Sequence, residues 1–113
     1  MKETIALRAF FKVATLWNLS QGQCAALLAV TPELIDSWTQ GSEIVDSDQL
    51  VRISHVLAVY AGLHAIFGDA PISDAWVHAP NTDFGAEAPL ERMLSGNIHE
   101  LEEVREYVDR WNA

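Results

Sequence analysis

Cysteine occurs once, at Cys24, so no disulfide can form within the chain and nothing requires an oxidising compartment. The cytoplasm is the expected location. Basic residues are scarce as well: seven Lys and Arg stand against sixteen Asp and Glu, for a net charge of −9. Phosphate affinity comes largely from Lys and Arg, so this balance argues against a general nucleic-acid binder. The scarcity is uneven, because no Lys or Arg falls between Lys12 and Arg52. No apolar run reads as long and uncharged enough to span a membrane, and none is expected to. Lys2 precedes an apolar patch, as in a signal peptide, but Glu3, Arg8 and Lys12 interrupt it and no small-residue cleavage site follows.

Catalytic groupings are missing too. His55, His64, His78 and His99 show no HxxxH or similar ligand spacing, and there is neither a glycine-rich phosphate loop nor a Ser/His/Asp order. Asp74 and His78 lie four apart and can touch, which is ordinarily a surface contact. Cys24 sits among Ala25, Ala26 and Leu27, where a buried free thiol is the common case. The expectation is a protein that is not an enzyme, with no catalytic residue, no metal and no cofactor. Internal repeats and low-complexity segments are also absent.

What is present is helical periodicity. In residues 4–18, Leu7, Phe10, Phe11, Ala14 and Trp17 form one apolar stripe. Lys2, Arg8 and Lys12 lie off it, as a solvated face or as an edge that contacts phosphate. Asn18-Leu19-Ser20 breaks this helix, and Ser20 with Gln23 matches a capping box that starts a short helix over 20–28. Ala29-Val30 turns, and Thr31 as N-cap with Pro32 at the first position starts another, ending before Gly41. Asp46, Ser47 or Asp48 caps a helix running from about 48 to 67. Leu50, Val51, Ile53, Val56, Leu57, Val59, Tyr60, Leu63, Ile66 and Phe67 make it apolar around most of its girth. Such a helix is buried on several sides. It reads as a spine shared by two modules, with leftover apolar surface for a homodimer contact. Gly62 permits close approach of a neighbour or is a flexible point.

Gly68 to Pro71 ends the spine, and residues 72–78 read as a short helix presenting Trp76. The residue before Pro80 is pushed out of the α region, Asn81 starts a turn, and Phe84-Gly85 sets an aromatic anchor beside a residue free to take positive φ. Pro89 opens a helix with Leu90, Met93 and Leu94 on one side, ending at Ser95-Gly96. Asn97, with Glu100 in a box-like pattern, caps the last helix. Its stripe is Ile98, Leu101, Val104, Tyr107, Val108 and Trp111. Glu100, Glu102, Glu103, Glu106 and Asp109 crowd its outer face, for solvation or as a guide toward a basic partner.

Two stretches resemble known patterns. Trp76, Pro80-Asn81, Phe84-Gly85, Pro89-Leu90, Met93, Gly96, Val104 and Tyr107 resemble the toxin-binding domain of the Xre/MbcA/ParS antitoxins. Residues 19–41 resemble the helix-turn-helix of Xre-type repressors: Ser20-Gln21 starts the first helix, Ala25 faces its partner, Val30 lies in the turn, Ile35 and Trp38 point inward and Gly41 ends the unit. Ala29 stands where that pattern usually has Gly. The putting of Glu33 and Asp36 on the recognition helix is the larger departure.

The expected architecture is therefore all-α: an Xre-like helix-turn-helix domain with the spine helix in residues 1–67, then a toxin-binding module in 68–113. The resemblance implies an antitoxin of a type II toxin–antitoxin system. Its partner would be a toxin encoded adjacently, with a RES domain that degrades NAD or ADP-ribosylates a target, and the antitoxin would occlude the NAD-using site. The residues expected to bind toxin are Trp76, Asn81, Phe84, Arg110, Trp111, Asn112 and Ala113. Arg110 and Trp111 suit a plug, although Trp111 equally suits closing the last stripe onto the core. Autorepression would use operator DNA, with Gln21, Thr31, Ser37, Gln40 and Lys12 as the contacts. A homodimer is expected, and no membrane partner. The alternatives are a stand-alone helix-turn-helix regulator whose C-terminal half dimerises, and an interaction protein that binds toxin without touching DNA.

Overall fold

The longest helix organises the rest. A computed structural model describes residues 2–42, 44–68 and 70–112, without the side chains of 2–4 and 70. The described residues contain seven α-helices and no strand: α1 (Lys2–Leu16), α2 (Gln21–Leu28), α3 (Pro32–Thr39), α4 (Ser47–Phe67), α5 (Ala70–Trp76), α6 (Pro89–Met93) and α7 (Ile98–Asn112). α4 packs against α1, α2, α5 and α7, while α3 leans on α2 and α6 on α7. Ile53, Val56, Val59 and Leu63 are buried along α4 and meet Phe10, Val13 and Trp17 from one side and Leu101, Val104 and Val108 from the other. Each such side chain contributes about 1.5–3 kcal/mol by leaving water. Val13 joins the expected α1 stripe as a buried residue, and Phe11 is half-buried against the core.

α4 also corrects an expectation. By length and composition it is apolar enough to cross a bilayer. Its charges, Asp48 and Arg52, fall in the first two turns, which leaves the remainder uncharged. In this fold part of that apolar surface seats α1, α5 and α7, and Val51 stays exposed.

Local chemistry sets the ends of the helices. Ser20 and Gln23 cap each other reciprocally, with Gln23 N–H donating to Ser20 Oγ at 3.1 Å and Ser20 N–H to Gln23 Oε1 at 2.8 Å. Asp46 and Gln49 do the same for α4 at 2.8 and 2.9 Å, so of the three candidate caps it is Asp46 that acts. Each box satisfies two donors that a bare helix start leaves orphaned. At α7, Asn97 Oδ1 accepts from His99 N–H at 2.9 Å, while Asn97 N–H donates to Ser95 Oγ at 3.1 Å. Ser95 thus fills the place that the sequence reading gave to Glu100. α5 starts and ends two residues earlier than 72–78, with Pro71 in its first turn. His78 and Ala79 then bond back to the Ala75 and Trp76 carbonyls in turns rather than a helix.

The Asp74–His78 contact does not form. Asp74 lies 3.3 Å from His64 Nε2 on α4, and His78 Nε2 is 2.8 Å from the Trp17 carbonyl oxygen. Both histidines therefore tie separate elements together. Of the glycines, Gly62 has the tightest surroundings. A Cβ there would lie 2.5 Å from Val108 Cγ1 and 3.3 Å from Asn112 Nδ2. The missing side chain lets the end of α7 lie against α4, where Asn112 Nδ2 donates to the Gly62 and Val108 carbonyls, each at 3.2 Å.

Candidate toxin-binding surface

The loop between α5 and α6 is a compact backbone knot. Asn81 N–H donates to Glu87 O at 3.1 Å and Ala86 N–H donates to Asn81 O at 2.9 Å, closing the loop on itself. Asn81 Oδ1 accepts from Asp83 N–H at 2.9 Å, the side-chain turn for which Asn is suited. The chain reverses through Gly85 at φ +67° and Ala86 at φ +70°, and only the first is glycine. Leu90 N–H reaches back to Val77 O at 2.9 Å, which fixes α6 to the end of α5.

This knot seats Phe84, which is 3 % exposed. Phe84 therefore works from below: it supports the surface and does not form it. Arg92 covers the ring, its guanidinium carbon 5.1 Å from the centroid, and Nη2 donates to Phe84 O at 3.1 Å. Arg92 Nη1 also donates to Glu103 Oε1 at 2.9 Å, and Nε lies at ion-pair distance, 3.4 Å, from Glu87. The Glu103 hydrogen bond is the main reason its pKa is raised further. One side chain thus joins loop, α6 and α7.

Above Phe84 lies a corner of aromatic rings. Tyr107 is 5.0 Å from Phe84 centroid to centroid, 6.0 Å from Trp76 and 5.0 Å from Trp111. Trp76 and Tyr107 are nearly parallel at 24°, whereas Trp111 stands at 69° to Trp76 and also meets Phe67 edge-on. Trp111 remains 46 % exposed, so of its two readings it closes the stripe only in part. Arg110 lies 5.8 Å over the Tyr107 ring. Tyr107 Oη donates to Asp83 Oδ2 at 2.5 Å. That bond, followed by desolvation, raises the phenol's pKa, with a hydrogen bond from the Asn81 side chain working against it. Trp76, Asn81, Arg110 and Trp111 are brought together here, with Asn112 at the adjoining α4–α7 seam. Ala113 lies outside the described residues.

Residues 62–113 match the C-terminal toxin-binding domain of the Xre/MbcA/ParS antitoxins. The chain is also 30 % identical over 104 residues to the uncharacterized protein y4oB of Sinorhizobium fredii (strain NBRC 101917 / NGR234), covering 91 % of this chain and 81 % of that one. The chain belongs to the Xre/MbcA/ParS antitoxin family. The antitoxin's matched segment begins inside α4, at Gly62, and takes in every residue of the aromatic corner and the knot beneath it. A cognate toxin is the partner that this domain implies.

The residues with a postulated DNA role lie on α1 to α3 and their ends, outside the matched segment. Gln21 Nε2 donates to Pro32 O at 2.6 Å, Thr31 Oγ1 caps Leu34 N–H at 3.2 Å, and Gln40 Nε2 donates to Asp36 Oδ2 at 3.0 Å. The Gln21 bond thus joins α2 to α3, while the Thr31 and Gln40 bonds close the two ends of α3. Ser37 and Lys12 are exposed, as are Glu33 and Asp36. Ala29 ends α2 at φ 54°, ψ 45°, the left-handed conformation in which Gly would be unstrained. Among the described residues, no group of three His, Cys, Asp or Glu is placed to hold a metal ion.

Sequence reasoning left Tyr107, Arg92, Asp83 and Phe67 out of the site. Tyr107 stands four residues before Trp111, hence on the same helix face, and that spacing was the available signal. Nothing in local spacing announces Arg92, whose partners are scattered from Phe84 to Glu103.

Proposed function

We propose that this antitoxin neutralises a RES-domain toxin encoded beside it, and does so by docking the aromatic corner over the toxin's NAD-using active site. Arg110, Trp111 and Asn112 would enter the site as an ordered helix end. The observation that carries this reading is the half-exposed Trp111, held beside Arg110 on a helix whose last turn is pinned to α4 by Asn112. A plug already ordered in the free protein forfeits little conformational entropy on binding. The site of action would be the cytoplasm.

We further propose that α2 and α3 act as a helix-turn-helix in autorepression, within a homodimer. With Glu33 and Asp36 exposed on α3, affinity for the operator would come mainly from Arg8 and Lys12 on α1, and from duplicating them across the dimer. Arg8 borders the same cleft as Trp38, Thr39 and Ser42 at the end of α3, which supports that pairing.

The experiment is co-expression with the adjacent open reading frame. The expected result is growth arrest and NAD loss from the neighbour alone, both reversed by the antitoxin in a complex that co-purifies. A harmless neighbour, or rescue without complex formation, refutes the reading. Deleting residues 110–113 should abolish rescue while leaving the circular dichroism spectrum helical. Full protection by the truncated chain would remove the plug.

A further inference from the structure

We propose that the corner formed by Trp76, Tyr107 and Trp111 is a receptor for an arginine side chain of the toxin. This rests on the docking reading above and specifies its chemistry. An exposed apolar face would accept any apolar partner, but this face is made of rings, and the faces of indole and phenol rings carry negative charge density that attracts cations.

Three observations narrow the occupant. Trp76 and Tyr107 stack at 24°, and Trp111 stands across them at 69° and 52°, so the corner is bounded by rings in two orientations, which suits a planar cation. The rim holds a carboxylate: Asp83 uses Oδ2 on the Tyr107 hydroxyl, which leaves Oδ1 without a hydrogen bond among the described residues. A guanidinium stacked on the rings has N–H groups in its own plane to give to such an oxygen. Finally, the chain already places guanidinium groups on this cluster, Arg92 over Phe84 at 5.1 Å and Arg110 over Tyr107 at 5.8 Å. Arg92 is locked by Glu103 and the Phe84 carbonyl, whereas Arg110 is exposed with the ring contact as its one partner among the described residues. Arg110 is therefore the group that yields or shifts when the toxin's arginine arrives. The net charge of −9 draws a basic surface toward this one. Lysine fits less well, because its compact and strongly hydrated ammonium gains nothing from a planar seat.

The test uses the full-length antitoxin and the toxin encoded beside it, with affinity measured by isothermal titration calorimetry. Trp111→Leu keeps apolar bulk and removes the ring; Trp111→Phe keeps a ring. The expected loss is about 30-fold for Leu, the equivalent of about 2 kcal/mol for a desolvated cation–π contact, and about threefold or less for Phe. Asp83→Asn should also weaken binding, since an amide can still accept the Tyr107 hydroxyl but carries no charge. Equal losses for Leu and Phe overturn the arginine receptor and leave the docking site standing as an apolar contact. Unchanged affinity in a Trp76→Ala/Trp111→Ala double variant overturns the docking site itself. Should Trp111→Leu not fold, competition against the wild-type complex decides. Free arginine should dissociate it at a lower concentration than lysine at matched ionic strength, and equal potency refutes the proposal.

Discussion

Gly62→Ala is the sharpest probe of how α7 is held, because two effects of known sign oppose each other there. Alanine is favoured over glycine in a helix interior by about 1 kcal/mol, so propensity alone makes this a stabilising change. The structure says otherwise. The new methyl would sit 2.5 Å from Val108 Cγ1, and Val108 is fully buried, so it has no free space to retreat into. Carbon atoms rest about 3.5–4.0 Å apart, so α7 must move outward by about 1 Å. Such overpacking costs about 1–3 kcal/mol, and this contact belongs at the upper end. The movement also stretches the Asn112 bond to the Gly62 carbonyl, now 3.2 Å. The net expectation is a loss of about 1–2 kcal/mol. For a domain of this size that is a fall in Tm of about 4–12 °C by calorimetry. Adding Val108→Ala should make the two changes strongly non-additive, since the second removes the atom that the first collides with. Toxin affinity should fall in Gly62→Ala, because Arg110 and Trp111 ride on the displaced turn. A Tm equal to or above wild type would refute the packing argument and leave glycine at this position without a structural reason.

Ala29→Gly should raise stability by about 1 kcal/mol, since a residue with a Cβ is held at φ 54° where only glycine is relaxed; thermal denaturation checks it. Thr31→Ala should lower stability by about 1 kcal/mol through loss of the Leu34 cap, and urea unfolding should show it with an unchanged m-value. Arg92→Met should weaken toxin binding measured by calorimetry more than it lowers Tm, because the bonds it removes fix the 81–87 knot under the aromatic corner. His55 is kept toward its neutral form, below 6.5, by burial first and then by Arg105, whose Nη1 lies 3.2 Å from Nδ1; Arg52 adds to this and Glu102 opposes it. The unfolded chain takes up that proton first, so stability is present above 6.5 and declines as pH falls through the lowered folded value. Melting curves from about pH 5 to 7.5 should show that slope in the wild type and a shallower one in His55→Gln.

What could be read from the sequence was what short-range chemistry decides. The caps at Ser20, Thr31 and Asp46 each depend on a donor and an acceptor three residues apart, and each forms. For Gly62 the sequence leaves open a close approach or a flexible point, and in the structure Val108 occupies the space. What could not be read depends on how helices pack. Asp74 and His78 have helical spacing, but α5 ends at Trp76, and packing gives Asp74 a partner on α4 and His78 one at the end of α1. Phe84 and Trp111 are both large aromatics in the matched segment, yet one is buried and the other half-exposed. The knot of 81–87, closed by backbone bonds and roofed by Arg92, buries Phe84, while Trp111 rides on the last turn of α7 against Phe67, Trp76 and Tyr107. On the docking proposed above, the same packing ties recognition to stability. Glycine at 62 brings α7 down onto α4, the descent of α7 sets Tyr107 on Phe84, and Tyr107 fixes the angle at which Trp111 meets Trp76. A change at any of these buried points should reach the toxin through the geometry of the rings, before it is large enough to unfold the chain.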